Sequence, residues 1–585
     1  MLIPPPPTPA LPRHAPPIGR LARAAAFALA TIATLATDPG PARAEPTTVR
    51  LEGPLPAVPE GVRHLLLPFE VPEGTVEIEV AHDDLSEENI LDWGLDGPEG
   101  FRGWGGGNTE NAVVGLDAAS RSYLPGPIAP GTWHVVVGVA KVVAPPAQYR
   151  VEVTLRDVPT LAPETHREPY APAAALSDGP RWYAGDFHVH SRESGDAEPT
   201  LDEIADFARG RGLDFVMISD HNTTSQLTLY ADAQARHPDV LFVPGAEVTT
   251  YAGHFNALGA TRFIEHRIGL PGTAIEGAVA DVQAHGGLVS INHPALALGD
   301  ACIGCAWDHD LPAGVIDAVE IGTGDILKPG GFFSDRAVAF WDALCDAGGR
   351  PAAVGGSDDH SGGQAAGALD SPIGSPTTLV FAEALSVDAL LAGVRAGDTV
   401  VKLHGPDDPM VDFRAPPPDA PRTLGAVITG GRGFTARFVR DGVPGPDVEI
   451  DADPFTLSAT DDAAPGTEAR WRVEVRQGGK RRTVTSHRYI VAADAPPEPT
   501  PDAARPSTDA AVARDARADA PPSDATTHET GDAANSGADP GGNSGNGGCA
   551  FAGGRQAGGG GGRSGFCSSV CWPVAGVGAR RRLSV

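Results

Sequence analysis

Hydrophobic and polar positions follow two different rhythms along this chain. From residue 45 to 165 the period is two: Val76, Ile78 and Val80, then Val151, Val153 and Leu155 set against Arg150, Glu152, Thr154 and Arg156. With Gly and Pro turns between such runs, this alternation predicts an antiparallel β-sandwich. Residues 403–491 read the same way, through Trp471, Val473 and Val475 to a Gly478-Gly479 turn. Neither segment shows clustered chemistry, so both are expected to be accessory β domains.

Residues 181–402 change rhythm. Phe215–Ser219, Val240–Gly245, Leu288–Asn292, Val315–Ile321 and Ala352–Gly355 are short solid apolar runs, suited to parallel strands buried on both faces. Amphipathic segments lie between them. Thr200-Leu201-Asp202-Glu203 has the form of a capping box, and Thr273-Ala274-Ile275-Glu276 of a second, whose helix ends at Gly286-Gly287. Repeated βα units over this length predict an α/β sheet or barrel. No GxGxxG sequence opens a helix, so nothing supports a dinucleotide fold.

Composition and charge narrow the function. Among 585 residues, 75 acidic side chains face 44 basic ones, for a formal charge of −31. This argues against a general polyanion binder, which needs a cationic face. Six cysteines in such a length exclude a scaffold built on disulfides.

Both ends read as processing segments. Arg20 and Arg23 precede the apolar run Ala24–Ala36, and Ala42-Arg43-Ala44 follows it, which predicts a signal peptide over residues 1–44 and export from the cell. A buried helix is the competing reading, and the Pro-rich flanks disfavour it. Residues 492–548 hold no aromatic side chain and one large aliphatic, Val512, so they read as a disordered Ala/Asp/Pro/Gly-rich linker. Residues 549–585 carry Cys549, Cys567 and Cys571 and end in Arg580-Arg581-Arg582. A polar stalk, a cysteine and a basic terminus resemble the myxobacterial C-terminal sorting tail, which implies attachment at the cell surface. The long apolar helix of that family is absent here, where Trp572–Ala579 is too short to span a membrane.

The chemistry gathers at expected strand ends. His188 and His190 follow Tyr183–Phe187, and His221 follows Ser219-Asp220. Glu247 follows Val243–Ala246, His254 opens the next short strand, Phe255–Gly259, His293 follows Asn292, and Asp358-Asp359-His360 follows Gly356. One histidine in such a place is ordinarily a satisfied loop residue. Six, with carboxylates at successive strand ends, describe the face where barrel enzymes assemble active sites. Imidazole with carboxylate suits Zn, Mn or Fe(II).

The block from Gly185 to His360 resembles a PHP (polymerase and histidinol phosphatase) domain, within the CehA/McbA-like metallohydrolase subgroup. The matching motifs are His188-Val189-His190 with Asp196, Ser219–Asn222, Pro244–Glu247, Gly253–Asn256, Ile291–Pro294 and Gly356–His360, followed by a helix and strand at Ser386–Ala396 and Thr399–Val401. The resemblance implies a distorted (β/α)7 TIM-like barrel over 181–402 holding two or three divalent cations. It implies that His188, His190, Glu247 and Asp358 hold the first. Glu247 would bridge to a second, completed by His254 and His293, and Asp196, His221 and His360 would hold a third. The Asp-x-His spacing favours Asp358 over Asp359 as ligand. Asp220 is expected to orient an imidazole, and Asn222, Asn256 and Asn292 either to do the same or to stabilise turns.

The expected activity is hydrolysis of a small phosphate ester or nucleotide, with Glu247, Asp358, Asp196 and His360 as catalytic candidates and long nucleic acid a poor substrate. A carbamate or amide hydrolase on the same metals, and a non-catalytic surface protein, are the competing readings. Arg192 and Arg262 are weaker candidates for binding substrate. Cys302 and Cys305 have the spacing of half a zinc ribbon but no second pair nearby; a local disulfide, or a bridge to Cys345, fits an exported protein better.

Overall fold

The computed structural model describes residues 45–56, 61–86, 88–299, 302–324, 332–364, 371–414 and 423–492. The expected signal peptide, nearly all of the expected linker and the tail lie outside the described residues. Among the described residues, no helix is long and apolar enough to cross a membrane.

The N-terminal segment forms two four-stranded antiparallel sheets. One runs in the order Thr47–Pro54, Gln148–Arg156, Glu77–Asp83, Ala112–Gly115, the other His64–Val71, Gly131–Lys141, Ile90–Gly97, Gly100–Gly106. The period-two side chains are the reason they stack. Ile78, Val80, Val151 and Val153 from the first sheet share one core with Leu91, Trp133, Val135 and Val137 from the second.

The middle of the chain is mixed α/β. Phe215–Ile218, Leu241–Val243, Leu288–Ile291 and Ala352–Gly356 are strands with every residue buried, as solid apolar runs require. The helix Leu201–Gly210 opens on the expected capping box, with Thr200 accepting from Glu203 and Glu203 from Thr200. The second expected box is not one. The helix Ile275–Ala284 starts one residue later than expected, with Ala274 at the cap position, and alanine has no side-chain acceptor to offer the first turn.

The strand pairing is mixed where repeated parallel βα units were expected. Glu247–Thr250 and Gly253–Leu258 form an antiparallel hairpin, and the second of these pairs antiparallel with Leu288–Ile291. The hairpin is thereby joined to Ala318–Thr323 and Ala352–Gly356 in a sheet of five. Leu241–Val243, Phe215–Ile218, Ser177–Val189, Thr377–Leu385 and Thr399–Lys402 belong to a sheet of eleven. The two sheets touch at two edges. His190 N donates to Asp359 O (2.9 Å) and Asp358 N to His188 O (2.8 Å); Asn222 N donates to Glu247 O (3.0 Å) and Glu247 N to Ser219 O (3.1 Å). Both seams run through the expected site residues.

The larger sheet continues past residue 402, where a separate β domain was expected to begin. Val400, Val401 and Lys402 pair with Thr485, Val484 and Thr483, so the C-terminal strands extend the α/β sheet. The joint is polar and buried. His487 stacks on Trp341 with ring centroids 3.9 Å apart. Arg472 donates to Asp342 Oδ1 (2.6 Å), His487 Nε2 (3.0 Å) and Glu474 Oε1 (3.1 Å). Arginine has no acceptor, so His487 Nε2 must be the acceptor and the ring is neutral.

This joint is expected to loosen in acid. Burial, with Arg472 nearby, lowers His487 to about 4. Burial pushes Asp342 and Glu474 upward, but the cationic and hydrogen-bonded neighbours of each hold it down to about 2. All three groups resist protonation when folded, so their stability is present at neutral pH. His487 loses its share, up to about 3 kcal/mol, as pH falls from 6.5 towards 4, and the carboxylates lose theirs below that. Thermal unfolding followed from pH 7 to 4 should show a falling transition in the native chain and a flatter one in His487→Gln.

Candidate metal centre

Apart from Asp196, which follows the short helical turn Arg192–Ser194, the candidate ligands stand at or just past the ends of buried strands. His188 is the next-to-last residue of Ser177–Val189, and Asp358 and His360 follow Ala352–Gly356. His293 follows Leu288–Ile291, and Glu247 and His254 stand on the two arms of the hairpin. The backbone is held in unusual conformations here: φ is +27° at His293, +57° at Asp358 and +50° at Asn222. Gly356 has to be a glycine, since a Cβ there would lie 2.2 Å from the Cβ of His188.

Glu247, 1% exposed, is the hub. Its Oε1 lies 3.3 Å from His254 Nδ1 and 3.2 Å from His293 Nε2. Its Oε2 lies 3.3 Å from His188 Nε2, 3.5 Å from His190 Nε2 and 2.9 Å from His221 Nδ1. Asp358 Oδ1 closes the inner group at 3.2 Å from His188 Nε2 and 3.1 Å from His190 Nε2. On the outer side, Asp196 Oδ2 lies 3.3 Å from His221 Nε2 and 3.5 Å from His360 Nε2. The structure thus brings together all nine candidate ligands.

The electrostatics are those of a site short of positive charge. Burial favours neutral carboxyls, yet the rings of His188 and His221 hold Glu247 well below the ordinary carboxylate range, and His188 does the same to Asp358. His188 and His221 are in turn held well above the imidazole range against burial by the facing carboxylates. Burial, with His360 and His221 beside it, lowers His190 to about 3. Nε2 of His188, Oε2 of Glu247 and Nε2 of His254 are buried without a hydrogen-bond partner. The orphaned atoms of His188 and Glu247, which face one another at 3.3 Å, fit a divalent cation. His188, His190, Glu247 and Asp358 place one ligand atom each within 4.8 Å of the others, as do His190, His221 and His360, and also His254, His293 and Cys305.

The surrounding layer corrects several expectations. Asp220, raised to about 8 by burial, orients no imidazole; it accepts from Ser191 N and Ser191 Oγ, both at 2.6 Å, and so fixes the loop after His190. Asn222 bonds the backbone of Thr249, and Asn256 donates to Phe187 O. Of the three side chains, that of Asn292 is the one that bonds a candidate ligand's side chain, donating to Glu247 Oε1 at 2.9 Å. Asp359 is bound by Ser361 N, Ser361 Oγ and Gly363 N, which leaves Asp358 to face the rings. Arg262 is spent on Asp281 and His285 near the helix Ile275–Ala284. Arg192 lines a cavity of about 600 Å³ with Arg121, Arg167, Glu193 and Arg236, beside the loop after His190.

Two contributors escape a reading of the sequence. Glu320 Oε2 bonds His188 Nδ1 at 2.8 Å, and Thr323 Oγ1 donates to the other oxygen of Glu320. The one signal was a carboxylate inside the run Val315–Ile321. The N-terminal sandwich is the other: Tyr251, at the hairpin turn between Glu247 and His254, donates to Asp92 Oδ2 at 2.7 Å. Ser122 N donates to Glu193 Oε2 (3.3 Å), Thr223 Oγ1 to Ser122 O (3.0 Å) and Arg121 Nη1 to Ala197 O (3.0 Å). An accessory module remote from the chemistry would make none of these contacts.

No protein-family model matches the chain. No curated protein matches it either. Among solved structures it is similar to a two-domain protein from Bacteroides vulgatus described as containing a predicted PHP-like metal-dependent phosphoesterase. The identity is 17%, over 56% of this chain and 99% of that one, with a TM-score of 0.31. It is also similar to a proposed metal-dependent phosphoesterase from Bifidobacterium adolescentis, at 14% identity over 36% of this chain and 95% of that one, with a TM-score of 0.24.

Glu320 gives the direct test of this geometry. A carboxylate on the far nitrogen of a metal-binding imidazole fixes its tautomer and raises its basicity, and its loss typically costs about 10–100-fold in metal affinity. Glu320→Gln should weaken divalent-cation binding by that factor in calorimetric titration while leaving the far-ultraviolet circular dichroism unchanged.

Proposed function

We propose that the chain is a PHP-type metal-dependent hydrolase, a phosphoesterase acting on small phosphate esters or nucleotides outside the cell. In this reading the α/β unit is a distorted barrel closed at the two seams, residues 1–44 direct export, and the tail attaches the protein at the surface. The observation that carries it is the buried Glu247 carboxylate, whose two oxygens each face a separate group of imidazoles.

His188, His190, Glu247 and Asp358 would hold one cation, Glu247, His254 and His293 a second, and Asp196, His221 and His360 a third. Bound divalent ions would supply Lewis acidity for a phosphoryl oxygen and bring a water molecule to hydroxide near neutral pH. Zn, Mn and Fe(II) all accept such a donor set. Glu247 keeps the two inner positions at a fixed separation, because Asn292 and the rings on both sides fix its rotamer. Asp220 and Asp359 hold the segments that follow His190 and His360. His360, with a side chain 33% exposed, stands at the solvent rim. Burial opposes its protonation while Asp196 and Asp358 favour it; its place at the rim suits it to give a proton to a departing oxygen when the outer position is unfilled. The net negative chain repels long polyanions while leaving small esters free to enter.

Metal analysis of the purified chain, followed by assays on an aryl phosphodiester and an aryl carbamate in parallel, tests the proposal. Divalent metal and phosphodiester turnover are expected, both lost in Glu247→Ala. Asp358→Ala should abolish turnover, whereas Asp359→Ala should lower it by about 10–100-fold, since it acts through the loop. Unchanged metal content in Glu247→Ala would overturn the site; turnover of the carbamate alone would overturn the substrate class.

A further inference from the structure

One group at the centre has no part in the mechanism above. Cys305 is 2% exposed and is bridged to Cys302. It reaches the site twice. Its carbonyl oxygen lies 3.0 Å from His293 Nδ1. A carbonyl only accepts, so Nδ1 donates there, and Nε2, 3.2 Å from Glu247 Oε1, is the nitrogen left to take a cation in place of a proton. Its sulfur lies within 4.8 Å of ligand atoms of His254 and His293. The remaining nitrogen of His254, Nε2, is buried and has no hydrogen-bond partner, although the residue is only 3% exposed.

We propose that Cys305 is a latent metal ligand: once the Cys302–Cys305 bridge is opened, its sulfur joins His254, His293 and Glu247 Oε1 as the fourth protein ligand of one zinc-selective position. The inference rests on the reading of His254, His293 and Glu247 as a cation site. Its consequence follows from coordination number. Three protein ligands leave a side open for water or substrate, as catalytic zinc sites do, whereas four close the shell, as structural sites do. Replacing water by thiolate also shifts preference towards soft-accepting Zn(II) and away from Mn(II). The bridge therefore keeps the position open in an oxidising compartment, and a reducing one closes it.

The opening step is balanced by a dithiol. The S–S bond of Cys302–Cys305 breaks, two electrons come from the dithiol as it closes its own disulfide, and its two protons pass to the cysteine sulfurs. Cation binding then displaces the proton on Cys305 Sγ to solvent.

The test uses the full chain loaded with Co(II), whose thiolate complexes show a sulfur-to-metal charge-transfer band in the near ultraviolet. Cys302→Ser frees Cys305 without any reductant. This variant should show the band, and Zn(II) should slow alkylation of Cys305 by iodoacetamide by about tenfold or more, read by peptide mapping, since a metal-held sulfur is a poorer nucleophile. Wild type kept oxidised and the double variant Cys302→Ser/Cys305→Ser should lack the band. Cobalt bound to Cys302→Ser, shown by its visible d–d absorption, without the band and with unprotected alkylation overturns this inference alone. Failure of the wild type to take up cobalt or zinc overturns it together with the metal reading on which it rests.

Discussion

The structure depends on one carboxylate placed where a carboxylate is hard to keep. Glu247 is buried among five imidazole rings at 2.9 to 3.5 Å. A lone buried anion is expensive, and five protonated rings around it would be equally so, because they would repel one another. The protein divides the difference. The carboxylates hold protons on His188 and His221, and burial removes them from His190 and His254. A divalent cation answers the same shortage of charge without a crowd of protons, so binding it must release protons, and its affinity must fall in acid.

The rest of the fold can be read as what it takes to hold that arrangement. The ligands do not decorate the end of a finished sheet; they are the edges at which two sheets meet. Backbone bonds from His188, His190, Asp358, Asp359 and Glu247 close the seams, and the left-handed backbone at Asp358 and His293 is the local consequence. Moving His188, His190, Asp358 or Glu247 therefore opens a seam. The inner part of the site is held rigidly because these four candidate ligands also make the backbone pairing.

This explains which parts were legible in the sequence. The buried strands and the helix Leu201–Gly210 depend on local pattern, and solid apolar runs and a Thr-x-x-Glu box are local. The candidate ligands were legible because polar residues recur just past those runs, whereas Asp220 and Arg262 misled because a position beside a motif says nothing about which way a side chain turns. Pairing was hidden. That Val400–Lys402 would take Thr483–Thr485 as neighbours, continuing one sheet across the expected boundary, rests on contacts some eighty residues apart with no local signature. Glu320 lay inside a run whose apolar character made it look like a strand and nothing more, and the carboxylate there is comprehensible only once His188 stands opposite.

The sandwich presents the same lesson in energetic form. Asp92 is fully buried in it; burial raises the carboxyl to about 7, and one of its oxygens has no hydrogen-bond partner while the other takes the hydroxyl of Tyr251. His64 stacks on the Tyr251 ring and meets Trp104, which in turn meets His266, and burial lowers His64 to about 3. A module serving only as a spacer would do better with an apolar contact here, since an incompletely bonded buried carboxyl costs stability. What the polar contact gives in return is direction: a hydrogen bond fixes the tip of the hairpin whose two arms carry Glu247 and His254, where an apolar patch would let it slide. Gly138 makes the contact possible, because any Cβ there would collide with the Tyr251 hydroxyl. The sandwich is thus the outer support of the hub carboxylate, and the α/β unit without it would keep the ligands but lose the restraint on one of the two hairpin arms that bring them together.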